Sequence, residues 1–78
     1  MTVRSLSAIA VEIAHDWKRP YFGAVPYLAA LRSLDRVADD YGADSGTSIV
    51  AYFLSNATAW RGDTARRVKS ELNAMLKM

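Results

Sequence analysis

The chain holds a single histidine, and it stands in a polar cluster of Glu12, His15 and Asp16. Glu12 and His15 are three residues apart, the spacing that puts a carboxylate and an imidazole on one helix face in di-metal bundles. Such centres need several more inward carboxylates, and the apolar faces of the other segments supply none. The cluster therefore reads as a solvated polar edge, and no metal is expected. Asp39, Asp40 and Asp44 form a second acidic group. A calcium loop of the EF-hand type needs oxygen ligands at its first, third and fifth positions, glycine at the sixth and glutamate at the twelfth. Counted from Asp40, the third position is Gly42 and the sixth is Ser45, which leaves helix capping and a solvated acidic patch. The absence of cysteine excludes a thiolate metal site, a redox pair and a cysteine nucleophile. Neither a glycine-rich phosphate loop nor a nucleophile elbow is present. The expectation is a chain that is not an enzyme and carries no cofactor.

Two stretches offer binding chemistry instead. Trp60 is followed by Arg61, Arg66, Arg67 and Lys69, an indole beside four cations. Such a set can hold a phosphate backbone or an acidic partner and stack a base. Helices before and after Ser55–Thr58 sketch a helix-turn-helix, but the usual tight glycine-bearing turn is absent. Asp63 also stands where it would repel phosphate. The structural reading of the same residues puts Trp60 in the core, with the arginines solvated or paired with the acidic middle of the chain. The second stretch is the connector Tyr21-Phe22-Gly23-Ala24-Val25-Pro26-Tyr27. Its three aromatics, Tyr21, Phe22 and Tyr27, either form a partner-binding patch or close as a lid over the helix ends.

The elements that position these residues are helical. Leu6, Ile9, Ala10, Ile13, Ala14 and Trp17 form one stripe, predicting a helix over about 5–18 that ends before Pro20. Pro26 suits the first turn of a second helix over about 25–39, with Arg32, Asp35, Arg36 and Asp39 on its polar face. Gly42 suits a left-handed helix end, and Asp44 or Ser45 can cap a third helix over 45–56. Its run Ile49–Leu54 also suits a buried strand, but no pairing strand exists, so the helix is predicted to be the most buried of the set. Trp60, Thr64, Val68 and Leu72 keep phase across Gly62, so the last helix is predicted over 58–76 in preference to a shorter one capped by Asp63. The fold expected is an all-α compact bundle of four short helices, one domain over 1–78.

Length and charge bound what remains. In 78 residues the hydrophobic fraction is 51%, the charged fraction 23% and the net charge +2. A chain this short buries only roughly 60% of its unfolded surface, so dense packing or self-association must supply stability, and a homodimer is a further expectation. Positive charge gathers in 61–78 and negative charge in 35–48, which predicts a polarised surface. The longest uncharged run, Ser45–Trp60, is 16 residues. As a helix it would span about 24 Å, short of a bilayer core of about 30 Å, so no membrane association is expected.

Several segments carry a resemblance. They are Asp16-Trp17-Lys18, Tyr21–Leu28, Asp40-Tyr41-Gly42-Ala43-Asp44-Ser45-Gly46, Ile49–Ala57 and Trp60–Arg67. Through them the chain resembles a group of small proteins of tailed phages and prophages, particularly those of actinobacteria, to which no activity attaches. The resemblance implies an accessory protein made in the cytoplasm of a bacterial host and acting by binding a protein component of host or phage. The alternative is a nucleic-acid-binding module that uses the basic C-terminal helix.

Overall fold

A computed structural model describes residues 4–42 and 44–77, with the backbone alone at Asp40 and Tyr41. Among the described residues, the chain forms an all-α bundle of four short helices: α1 (Leu6–Asp16), α2 (Val25–Leu31), α3 (Gly46–Ser55) and α4 (Asp63–Leu76). A 3-10 turn over Phe22–Ala24 leads into α2, and a two-residue ladder of β1 (Asp40–Tyr41) and β2 (Asp44–Ser45) leads into α3. The ladder is antiparallel, with Asp40 opposite Ser45 and Tyr41 opposite Asp44. Helix α2 packs on α1 and α3, and α4 packs on the same two.

The apolar stripes meet as expected, except that Ala14 of the α1 stripe is exposed. Leu6, Ile9, Ala10 and Ile13 of α1, Leu28 and Leu31 of α2, Ile49, Val50 and Phe53 of α3, and Val68, Leu72 and Met75 of α4 form one buried cluster. Phe53 is the largest fully buried side chain, but Thr47, Tyr52 and Ser55 of the same helix are exposed. Helix α3 is thus amphipathic and not enclosed on every side.

The start of α1 is fully accounted for. A helix leaves its first backbone N–H groups without internal partners. Here Leu6 and Ser7 donate to the carbonyls of Asp35 and Leu34 at 2.9 and 2.8 Å, and Ala8 donates to the Ser5 hydroxyl. Ile9 bonds to the Ser5 carbonyl, the first bond of the helix itself.

Those same contacts explain why α2 stops at Leu31 and not at the predicted 39. The carbonyls of Leu34 and Asp35 serve α1, so they are not spent on a continuing α2. The Asp39 carboxylate accepts from the N–H groups of Asp35 and Arg36, at 3.2 and 3.0 Å. A continuing helix would need both donors, and a short acidic side chain that bonds nearby backbone competes with it. The chain turns instead, and Gly46 donates to the Asp39 carbonyl at 2.6 Å. A β-carbon on Gly46 would lie within 3.0 Å of the carbonyl oxygens of Val37, Arg36 and Asp39, so only glycine permits this crossing.

Two further boundaries are settled. Ser45, and not Asp44, caps α3: its hydroxyl accepts from the Ser48 N–H at 3.1 Å. Gly42 is left-handed, at φ 61°, but in the hairpin turn and not at a helix end. Helix α4 begins at Asp63 and not at 58, with Gly62 as its N-cap at φ 113° and ψ −179°. Trp60 keeps its inward direction from an irregular segment, which is why its phase with Val68 and Leu72 imitated a longer helix.

Candidate functional site

Trp60 is 2% exposed, and it lies in the core. Its ring stacks on Trp17 with centroids 5.8 Å apart and planes 13° from parallel, and Phe53 meets both indoles edge-on. The Trp60 Nε1–H donates to Asp16 Oδ2 at 2.8 Å, so the one polar atom of the indole is satisfied as it is buried. Neither face of this indole is free for a base.

The four cations after Trp60 separate into two groups. Arg61, Arg66 and Lys69 line one concavity of about 320 Å³, together with Trp60, Gly62 and Ala65. Lys69 donates to the Trp60 carbonyl at 2.6 Å and lies 5.9 Å from the indole centroid, within cation–π range. Burial lowers the Lys69 ammonium from its ordinary range, and the nearby Arg61 charge lowers it further. Arg66 lies 3.7 Å from Asp63, both of them solvated.

Arg67 points away, to the seam between α1 and α4. There it pairs with Glu12, which Arg4 also approaches at 2.8 Å. The Arg4 guanidinium grips Glu71 with two hydrogen bonds, at 2.6 and 3.0 Å. Its N–H groups aim at Glu71, so Glu12 Oε1 receives the charge of Arg4 but no aligned hydrogen bond. Burial alone would raise the Glu12 carboxyl; its pairing with Arg4 and Arg67 outweighs this and holds the group below the usual carboxylate range. The Glu71 hydrogen bond raises the Arg4 guanidinium, against a smaller opposing effect of burial. Among the described residues, Arg67 therefore pairs with α1 and Arg66 with its neighbour Asp63, and neither with the acidic middle segment. Glu12 and Asp16 of the candidate metal cluster are both engaged, by arginines and by the Trp60 indole, while His15 is exposed. Of the acidic group, Asp39 caps the turn over residues 35–38, and Asp44 lies in β2; the Asp40 side chain lies outside those described.

The connector aromatics reach the surface. Phe22 is 80% exposed and Tyr21 46%, their rings 4.7 Å apart and inclined by 53°. Tyr27 is partly buried on the core and meets Tyr52 of α3 at 5.4 Å. Tyr52 and Val25 are themselves about half exposed. The connector runs close to the end of α3: a β-carbon on Gly23 would come 2.7 Å from Asn56 Oδ1. Tyr21 then lines a concavity of about 330 Å³ with Ser55, Asn56, Thr58, Ala59 and Arg61. Arg61 is thus a wall common to the aromatic and the basic concavities. The sequence does not announce this junction, because Tyr21 and Arg61 stand forty residues apart. Tyr52 is equally hidden, inside an apolar run that reads as wholly buried, whereas Val25 lies within the connector already singled out.

A larger concavity, of about 430 Å³, lies elsewhere, between Arg4, Asp35–Ala38 and Met75, and takes in none of the candidate residues. Among the described residues no helix is long and apolar enough to cross a membrane. No family model, curated protein or solved structure matches the chain.

Proposed function

We propose that the chain is a non-enzymatic interaction protein that binds a protein partner through the surface headed by Tyr21 and Phe22. The observation that carries this reading is Phe22, an aromatic ring left 80% in water beside a second half-exposed ring. Covering a phenylalanine side chain is worth roughly 1.5–3 kcal/mol, so a partner with a matching apolar pocket gains most from this point. Val25 and Tyr52 extend the exposed apolar surface. In the setting that the resemblance implies, the partner is a host or phage component met in the bacterial cytoplasm. The test is capture from bacterial lysate, with and without nuclease, by the wild type and by the Phe22→Ser variant. A discrete protein that survives nuclease and is lost with Phe22→Ser supports the reading. Capture indifferent to Phe22→Ser overturns it.

One observation favours a second reading, a nucleic-acid-binding module: Arg61, Arg66 and Lys69 gather at one concavity. Three phosphate contacts give a log–log salt slope of about −3 on duplex DNA, and removing Arg61 or Arg66 should flatten it by about one. Binding with no salt dependence rejects that reading. Arg67 drops out of it, because Glu12 already holds that guanidinium.

A further inference from the structure

Resting on the interaction reading, we infer that the partner presents an acidic segment with an apolar or aromatic anchor. The anchor lies on Tyr21 and Phe22, and the segment's carboxylates face Arg61, Arg66 and Lys69.

Arg61 lines the concavity of Tyr21 and also that of Arg66 and Lys69, so an extended chain seated on one is led past Arg61 into the other. Among the described residues, no carboxylate lines either concavity. Of the acids nearby among the described residues, Asp16 is held by the Trp60 indole on the core side, and Asp63 is fully exposed and reaches Arg66 at 3.7 Å, a pairing that water screens to little. Arg61 and Lys69 repel each other, and among the described residues the Lys69 ammonium bonds a backbone carbonyl and pairs with no carboxylate. Like charges held together in a concavity favour an anion from outside. The walls between them, Ser55, Asn56, Thr58 and Ala59, are uncharged and suit the backbone of a peptide.

The same details disfavour a nucleic acid as occupant. Base stacking needs open ring faces in series. Trp60 is covered by Trp17, and Phe22 is inclined against Tyr21. An acidic peptide needs only one apolar anchor and two or three cations, which is what the surface offers.

The test is selection of random dodecapeptides displayed on phage, panned against the immobilised full chain. The inference expects enriched sequences with an aromatic or large aliphatic residue and at least two Asp or Glu within a few positions of it. A synthetic copy of the enriched peptide should bind about tenfold or more weakly to Arg61→Glu and to Arg66→Glu, and as strongly to Arg32→Glu. Arg32 is an exposed cation on another face, and its reversal makes the same change in net charge. Thermal unfolding of each variant establishes that it is folded. Peptides enriched without acidic bias that still depend on Phe22 would overturn the acidic inference and leave the interaction reading standing. No enrichment, together with Arg61-dependent binding of an oligothymidylate, would overturn both.

Discussion

Glu12 sits between two guanidiniums, and its carboxylate is more stable charged than it would be in an unfolded chain. A group whose folded pKa is depressed contributes stability that is complete above its unfolded pKa and is lost as pH falls through the folded one. Stability is therefore expected to fall with acidification below about pH 4.5, and Glu12→Gln should flatten that limb in urea titrations run across pH. The pair is partly exposed, so the effect at neutral pH is under about 1 kcal/mol and shrinks with salt. Trp60→Phe keeps an aromatic core but loses the bond to Asp16, whose exposed carboxylate turns to water, and shrinks the ring stacked on Trp17, at a cost of about 1–2 kcal/mol, again read by urea unfolding. At this scale the sequence was half legible. The structural alternative for Trp60 is readable in its phase with Val68 and Leu72. The ties of Arg4 to Glu71 and of Arg67 to Glu12 join residues 67 and 55 positions apart, and no local pattern encodes them.

At the scale of elements, Gly62 distinguishes the two starts of α4 by the sign of one measurement. Inside a continuous helix, Gly62→Ala would stabilise by about 1 kcal/mol. With φ at 113° and ψ near 180°, a conformation open essentially to glycine alone, the same substitution should destabilise by about 1–3 kcal/mol. Thermal denaturation of Gly62→Ala reads that sign directly. Helix centres and their buried faces were legible because a period near 3.6 residues survives any choice of ends. The ends of α2 and α4 were not. One depends on carbonyls needed by a different helix, and the other on an indole that points inward without being helical. The hairpin over 40–45 escaped for a similar reason, since two-residue strands carry no alternation to detect.

For the whole molecule, the polarised charge of the sequence acquires a physical length. The acidic segment meets the C-terminal end of α4, where Val37 and Ala38 share a concavity with Met75, while Arg61 and Arg66 flank its N-terminal end. Fourteen residues of helix separate them by about 21 Å, beyond the screening length of about 8 Å at physiological salt. The cations beside the start of α4 are thus not neutralised by Asp35 at its far end, where Arg4 and Arg36 line the same concavity. A chain of 78 residues holds roughly 4–12 kcal/mol of stability at 0.05–0.15 kcal/mol per residue. Phe53→Ala, at about 3–5 kcal/mol, should leave the weaker part of that range unfolded at 37 °C, as circular dichroism would show. Phe22→Ser, by contrast, should leave the melting curve nearly unchanged, since an exposed side chain contributes within about 0.5 kcal/mol. Light scattering tests the homodimer: if dimers form and Phe22→Ser dissolves them, the aromatic surface serves self-association. First-turn amides ordinarily face water and trade their hydrogens for deuterium early. Those of Leu6 and Ser7 are locked onto Asp35 and Leu34, far along the chain, so they should trade as late as the centre of the bundle. The front of α1 and the turn after α2 then open together or not at all, and a tether pulled at residue 4 would load the middle of the chain first.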